Sequence, residues 1–299
     1  MLCVVGAWLL SDAWIDPARR FVGQDFVDAY GTVWTWWWAG WALETGKGWE
    51  HTDLLFHPWG SAIFLHTGGN LLDALLSWPL RTGTGAVLGY NIWIVLVLAT
   101  NGWVGSHVAA AVGAGPWGRW LGAAFGVLQP YALHEINLGR PTQGMLIFLG
   151  LWIASLLRPP SIREGMRGGV ALLFCGLGYW YYGLLGAWFA VVLGLFRLVQ
   201  GDKRKQELQR LVVAGAIAGL GVLPLVWPLL EALGQGEIPG LLALQSSQGP
   251  LGRLSLQTVE GDSQALVVLA LDGRIGGLLD SEGLRFDPGV RLIHLVHAL

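Results

Sequence analysis

The sequence predicts an all-α membrane protein with about seven transmembrane helices, and its composition and apolar runs support that prediction. Of its 299 residues, 54% are hydrophobic and 13% are charged, whereas an ordinary soluble domain has about 25% charged residues. Several apolar stretches are long enough to cross about 30 Å of hydrocarbon. Because backbone groups in lipid must hydrogen-bond within their own segment, we expect these stretches to be helices.

The N-terminal fifteen residues are apolar but lack the basic start and small-residue cleavage site of a signal peptide. The run is short for a span, so we interpret it as a first helix that lacks its beginning. Cys3 and Cys175 have no metal-ligand spacing and are predicted to be core residues. A net charge of −2, without a basic tail, argues against a nucleic-acid partner.

The distribution of Lys and Arg predicts the orientation of the helices. The most basic loops are 158–167 and 197–210, and cytoplasmic loops retain positive charge. The predicted crossings after the first helix are 91–114, 118–132, 144–157, two arms of a hairpin within 169–199 that turns near the aromatic residues 179–182, and 211–230. This order places the N-terminus in the cytoplasm and the long loop 16–89 outside.

The outer loop 16–89 is acidic and rich in Trp. From Asp28 onward, tryptophans recur at helical spacing, which predicts a helix lying flat in the headgroup layer. A second such helix is predicted at 61–78, where a Gly-Gly pair weakens the pattern. We therefore divide the chain into a transmembrane module, 1–233, and an extracytoplasmic segment, 234–299, in which two short apolar runs predict a hairpin.

Two carboxylates follow the first helix and are the strongest candidates for chemistry. Asp25 and Asp28 are three residues apart and would share a helix face. A carboxylate partly shielded from water becomes more basic and can take a proton from a hydroxyl. The alternative is an acid that only caps a helix or sits at the interface. No certain cofactor is predicted, although a divalent cation held by both acids stays open as an alternative.

The loop 134–143 joins two predicted crossings on the outer side and carries His134, Glu135 and Arg140. A guanidinium group forks onto phosphate oxygens, so Arg140 suits a lipid phosphate. The alternative is that Arg140 pairs with Glu135 or with lipid headgroups. His57, in TDLLFHPWG, is a second candidate on the outer side, with a purely structural hydrogen bond as its alternative.

A tryptophan cluster occupies the first half of the outer loop, where seven of the eighteen tryptophans lie between Trp34 and Trp59. Such a cluster is typical of an interfacial anchor. Because sugar faces also stack on aromatic rings, Trp34, Trp37 and Trp38 are candidate substrate-binding residues as well.

Several of these motifs occur in an order that resembles a known family. The order is Asp28, Trp34, Trp37 and Trp38, TDLLFHPWG at 52–60, LHT at 65–67, YN at 90–91, PY at 130–131 and TQ at 142–143. It resembles bacterial members of the C-type glycosyltransferase (GT-C) superfamily over about residues 20–160. These are integral-membrane enzymes that take a sugar from a polyprenyl-phosphate carrier.

The resemblance implies a role for each candidate. An acid in the first outer loop is the catalytic base of this superfamily, and Asp28 matches that position, with Asp25 as the near alternative. The deprotonated acceptor hydroxyl attacks the anomeric carbon, and the lipid phosphate leaves with inversion. Arg140, supported by His57 or His134, would stabilise that phosphate. The implied partners are the lipid-linked donor, membrane lipids and an unidentified acceptor, at the outer face of the inner membrane.

The sequence departs from the superfamily in two ways. Where relatives often have Tyr-Pro-Asp-Gly, residues 57–60 read His-Pro-Trp-Gly, so that acid is absent. Relatives are usually longer, so we expect a fragment or a split gene. Two other classes stay open. A transporter or flippase of lipid-linked sugars would favour charges near the bilayer midplane, and an inactive scaffold would transfer nothing.

Overall fold

The computed structural model describes most of the chain from residue 14 to residue 234. The described residues are 14–23, 28–49, 51–52, 54–55, 61–62, 71–200 and 202–234. The predictions on Asp25, on His57 and on the hairpin of the C-terminal segment therefore lie outside the described residues.

The described part of the chain is helical, as the predicted fold class requires. Its helices are α1 (Ala29–Thr45), α2 (Leu71–Thr84), α3 (Ala86–Ala111), α4 (Pro116–Val127), α5 (Pro130–Asn137), α6 (Pro141–Gly144), α7 (Ile147–Leu157), α8 (Ile162–Gly178), α9 (Trp180–Gln200) and α10 (Arg204–Gly234). The predicted outer-loop helix at 61–78 differs, because Ser61–Ala62 is a strand and the helix there begins at Leu71.

The chain divides into two compact units, of which the first comprises residues 1–50 and 63–224. The second unit comprises 51–62 and 225–299. It contains two short antiparallel strands, β1 (His51–Thr52) and β2 (Ser61–Ala62). The candidate sites described below all lie within the first unit.

Three helices of the described part are long and apolar enough to cross a membrane. They are Ala86–Ala111, Trp180–Val199 and Arg204–Pro224. The chain is therefore suited to membrane association. By contrast, α4 with 12 residues and α7 with 11 are each shorter than the roughly 20 residues that cross hydrocarbon.

The breaks around α4 and α7 have local causes. Proline is favoured at the first helical position because its missing N–H has no partner there. Pro130 starts α5 in this way, and the Gln129 side chain accepts a hydrogen bond from the Ala132 N–H at 2.5 Å. Before α7, the buried Asn101 amide donates to the Gly144 carbonyl at 2.7 Å and accepts from the Leu146 N–H at 2.8 Å. Because these hydrogen bonds hold residues 144–146 outside this helix, α7 begins at Ile147.

The helices α8 and α9 form the predicted hairpin. α8 ends at Gly178 and α9 begins at Trp180. Gly183 packs against Gly176, and Gly186 packs against Leu172. These pairs run in opposite directions along the chain, so the two helices are antiparallel.

Contacts between the other helices define their relative directions. Gly105 of α3 packs on Gly122 of α4, and Asn101 packs on Gly126, so α3 and α4 are antiparallel. Asn101 contacts the start of α7, whereas His107 and Ser155 line one cleft further along, so α3 and α7 run the same way. The predicted order of crossings requires these directions.

Two apolar clusters hold the first unit together. The larger one joins α1, α2 and α3 around Trp36, Tyr90 and Leu98, which are fully buried. The smaller one joins α7, α8 and α10 around Trp152, whose indole N–H donates to the Gly186 carbonyl at 2.7 Å. Together they place the start of α7 beside the first cluster and its end beside the second.

Two glycines of α4, Gly122 and Gly126, allow its backbone to approach α3 closely. A Cβ atom on Gly126 would lie 2.1 Å from the Asn101 carbonyl oxygen. We expect Gly126→Ala to lower the free energy of unfolding by about 1–3 kcal/mol, because the helices must separate. Thermal unfolding of the purified protein in detergent measures this change.

Gly219→Ala is the matched control, because a Cβ atom at Gly219 meets nothing within 4 Å. Alanine favours a helix over glycine by about 1 kcal/mol, so this variant should be neutral or more stable. Equal loss of stability in both variants would contradict close packing of α3 and α4.

Candidate functional site

The start of α1 packs against the loop that follows α5. The Asp28 N–H donates to the Leu138 carbonyl at 3.1 Å. The Thr32 hydroxyl donates to the Gly139 carbonyl at 2.9 Å. These bonds join segments more than one hundred residues apart in sequence, because Thr32 and Gly139 are separated by 107 positions.

Gly139 is required at the centre of this contact. Its φ of +77° lies in the left-handed region, and a Cβ atom would lie 2.2 Å from the Ala29 nitrogen. Only glycine combines that conformation with so close an approach. The loop is therefore fixed against the first turn of α1.

Asp28 and Arg140 form an ion pair at this contact. Arg140 Nε donates to Asp28 Oδ2. Asp28 occupies the N-cap position of α1, yet its side chain makes no capping hydrogen bond. Its Oδ1 accepts no hydrogen bond from the described residues. The carboxylate thus binds a distant guanidinium instead of the helix that it precedes, which sets aside the capping alternative.

Arg140 also faces a second carboxylate. Its Nη1 lies 3.6 Å from Glu135 Oε2, and the Glu135 side chain is only 9% exposed. The hydrogen bond with Asp28, which is the largest cause, raises the pKa of Arg140, and the charge of Glu135 adds to the effect. The pairing with Glu135 that we weighed as an alternative thus exists alongside the pairing with Asp28. Glu135 Oε2 is buried and has no hydrogen-bond partner among the described residues.

Tyrosines from α5 and from the α8–α9 junction surround this group. The Tyr182 hydroxyl donates to the Gln143 carbonyl. Burial raises the pKa of Tyr179, and the nearby Tyr131 and Glu135 contribute to that rise. The sequence predicted the aromatic run at 179–182 as an interfacial turn. The structure adds that this turn lies beside the loop that carries Arg140.

A fully buried acid beneath this loop was not predicted as a site residue. Asp73 of α2 accepts a hydrogen bond from the Thr142 hydroxyl at 2.6 Å. Burial raises the pKa of Asp73 from 3.8 to about 7, and Thr142 and Trp93 partly oppose that rise. A lone acid in the apolar run LLDALLSW was the available signal, because Asp is almost never fully buried without a partner.

A buried asparagine holds the segment that leads to Asp28. Asn91 Oδ1 accepts from the Val22 N–H at 2.9 Å, and its amide donates to the carbonyls of Pro17 at 2.9 Å and Arg20 at 2.7 Å. Three hydrogen bonds from one side chain thus fix residues 17–22 against the start of α3.

The tryptophans of α1 form a stacked ladder. The ring centroids of Trp34 and Trp38 are 6.1 Å apart, those of Trp37 and Trp41 are 6.2 Å apart, and Lys47 lies 4.8 Å above Trp41. Trp38 is buried and donates to the Trp49 carbonyl at 3.0 Å, whereas Trp37 is exposed. The predicted shared face is therefore present, with Trp37 as its accessible ring.

The predicted site residues fall into four groups, of which the first, Trp34, Trp37 and Trp38, belongs to the ladder of α1. In the second group, Arg140 contacts both Asp28 and Glu135. His134 is exposed on α5, and within the described residues it takes no part in that group. Asp25 and His57 lie outside the described residues. No set of three His, Cys, Asp or Glu suited to a metal ion occurs among the described residues.

The comparisons with known proteins give no family to which the chain can be assigned. Neither protein-family models, nor curated proteins, nor solved structures match it. The resemblance to C-type glycosyltransferases therefore rests on the sequence motifs alone.

The buried carboxyl of Asp73 should make stability depend on pH. Unfolded, Asp73 loses its proton near pH 3.8, whereas in the fold it keeps it up to about pH 7. The folded chain binds more protons in this window, so the free energy of unfolding falls as pH rises from about 4 to about 7, by about 4 kcal/mol in total. Unfolding in detergent at several pH values measures the slope.

Asp73→Asn should flatten this slope, because an amide has no proton to lose. Glu44→Gln, which changes an exposed acid of α1, is the control and should keep it. A slope that survives in Asp73→Asn would show that another group causes it.

Proposed function

We propose that the protein is an integral-membrane glycosyltransferase that moves a sugar from a polyprenyl-phosphate donor to an acceptor hydroxyl. The observation that carries the proposal is the direct contact between Asp28 and Arg140. It brings a carboxylate that can accept a proton to a guanidinium that can bind a phosphate. The motif resemblance implies the catalytic base at Asp28, and the charge that develops on the leaving phosphate calls for a nearby cation, which Arg140 would supply.

The proposed topology has seven crossings of the inner membrane, with the N-terminus in the cytoplasm. Because α4 and α7 alone are too short to cross, these two crossings would be interrupted ones, α4 extended by the start of α5 and α7 extended by α6. The antiparallel packing of α3 on α4 and of α8 on α9, and the common direction of α3 and α7, support the alternation. The basic residues around 158–167 lie at one end of α7, and Arg140 precedes its other end. By the positive-inside rule, the Asp28–Arg140 pair then faces outward.

The ion pair suggests how the donor activates the base. A phosphate competes with a carboxylate for the same guanidinium, and it can bind through two oxygens. Donor binding at Arg140 thus releases the Asp28 carboxylate. Before that exchange, Asp28 Oδ2 is occupied by the Arg140 guanidinium, which limits reaction without a donor.

The reaction then proceeds by displacement at the anomeric carbon. Asp28 takes the acceptor hydroxyl proton while the acceptor oxygen forms a bond to that carbon. The bond from the anomeric carbon to the phosphate oxygen breaks on the opposite face, and both of its electrons go to the leaving phosphate. Arg140 stabilises the resulting charge. The products are an inverted glycoside, a polyprenyl phosphate and a protonated Asp28.

Other described residues fit supporting roles. Trp37 is exposed on the ladder of α1 and offers a ring on which a sugar face can stack. Glu135 contacts the guanidinium, and Tyr131 and Tyr179 lie near Glu135 and Arg140. They would orient Arg140 once the donor has displaced Asp28.

A transporter of lipid-linked sugars is the second candidate. The interrupted stretch from α4 to α7 favours it, because transporters use interrupted helices. Asp73, a fully buried acid that accepts a hydrogen bond from Thr142 beside that stretch, would be its functional acid, although the proposed topology puts Asp73 in the loop 16–89 and not at the bilayer midplane. Movement of a labelled lipid-linked sugar across vesicles that is lost in Asp73→Asn, without any glycosyl transfer, would select the transporter.

Asp28→Asn should abolish most glycosyl transfer while preserving the fold. Loss of a general base lowers the rate by about 10²–10⁴-fold. The assay uses purified protein with polyprenyl-phosphate sugars and a panel of hydroxyl acceptors, and unfolding temperature serves as the check on folding.

Glu44→Gln is again the matched control, because it neutralises an exposed acid at the opposite end of α1. It should transfer at the wild-type rate. Unchanged transfer in Asp28→Asn would remove Asp28 from the mechanism. Absence of transfer by the wild-type chain with every donor would favour an inactive scaffold.

A further inference from the structure

A cleft of about 590 Å³ lies at the end of α7 away from Arg140. It is bordered by α3, α7 and α8. One wall is apolar and includes Leu151, Met166 and Val170. Met166 is 54% exposed and Val170 is 44% exposed, so this wall is accessible from outside the helix bundle.

Two guanidinium groups line the polar side of the cleft. Arg167 Nη1 donates to Glu164 Oε1 at 2.7 Å, and Arg158 Nη1 lies 3.5 Å from Glu164 Oε2. The Glu164 side chain is only 10% exposed, so it holds both groups in place. Two positive charges against one negative charge leave an excess of one positive charge. Each arginine uses one nitrogen on Glu164 and retains further N–H donors.

The neighbouring arginines are already occupied by the end of α7. Arg210 Nη1 donates to the carbonyls of Ser155 and Leu156, both at 3.0 Å. Arg197 donates to the carbonyls of Leu157 and Arg158, both at 3.3 Å. They satisfy the C-terminal carbonyls of the helix and oppose its dipole. Neither of these two arginines lines the cleft, so the arginine donors that a ligand in the cleft can reach belong to Arg158 and Arg167.

His107 of α3 completes the polar side. Its Nδ1 lies 3.0 Å from the Trp103 carbonyl oxygen. Because a carbonyl only accepts, the hydrogen is on Nδ1, and Nε2 is left for another partner. The ring packs against Trp103 at a tilt of 44°, with centroids 3.9 Å apart.

We propose that this cleft binds an anionic phospholipid through its headgroup phosphate. The single excess positive charge matches one phosphodiester, whose two free oxygens can accept from Arg158 and Arg167. The apolar wall of Leu151, Met166 and Val170 suits the start of an acyl chain. A free phosphate would use only the polar side and leave this wall exposed. The site is independent of glycosyl transfer, because it shares no residue with the Asp28–Arg140 pair.

The test compares lipids on the purified full chain in detergent. Phosphatidylglycerol should raise the unfolding temperature more than phosphatidylcholine with the same acyl chains does, and native mass spectrometry should retain it more. Arg167→Gln should weaken the apparent affinity for phosphatidylglycerol about fivefold, because one basic side chain near an anionic lipid contributes about 1 kcal/mol.

The matched control is Arg163→Gln, which removes an exposed arginine of α8 that does not line the cleft. It should bind like the wild type. Met166→Asp, on the exposed wall, should also weaken retention without affecting the core. Equal phosphatidylglycerol retention in all variants would overturn the proposal. So would an equal stabilisation by inorganic phosphate alone, which would indicate a free-anion site.

Discussion

The packing of the Gly139 backbone on the first residue of α1 is the constraint on which the candidate site depends. It brings Asp28, which follows the first predicted crossing, to the loop of Arg140 before α7, although the two segments are far apart in sequence. The left-handed φ of Gly139 and the 2.2 Å approach to the Ala29 nitrogen that a Cβ would make leave no room for another residue. Asp28 and Arg140 are exposed side chains, and an exposed ion pair contributes only about 0–1 kcal/mol to stability. Their attraction is therefore too weak to join the two segments. The backbone contact beneath them holds the segments together and so keeps the two charges adjacent.

The two ends of α7 have opposite chemistry. At its start, carboxylates outnumber the one guanidinium, and tyrosines surround the group. At its end, arginines from α8, α9 and α10 converge on its last carbonyls and on Glu164. This polarity follows the charge bias that the sequence shows between its loops. It gives one short helix an acidic end suited to a proton acceptor and a basic end suited to lipid phosphate.

The spacing of apolar residues and the distribution of charged residues along the sequence were sufficient to predict much of the fold. The spacing of apolar residues predicted α3, α8, α9 and α10, and the aromatic run predicted the turn at Tyr179. The ends of α4 and α7 were not predicted. Pro130 starts a new helix after α4, and the hydrogen bonds of the Asn101 side chain precede the start of α7. A hydropathy pattern carries no information about such local interactions. The ion pair between Asp28 and Arg140 was not predicted, because the sequence assigned Arg140 a lipid phosphate, with Glu135 or headgroups as the alternative partners. The burial of Asp73 under Thr142 was missed, because it depends on tertiary contact between α2 and a distant loop.

The sidedness of the two ends of α7 tests this account most directly. In a chain whose Cys3 and Cys175 are replaced by alanine, single cysteines would be introduced at the exposed positions Asn137 and Arg163. A membrane-impermeant maleimide should label Asn137→Cys in intact bacteria and label Arg163→Cys only after the membrane is permeabilised. Labelling of both positions from the same side, or in the reverse order, would contradict an outward-facing Asp28–Arg140 site and a cytoplasmic lipid cleft.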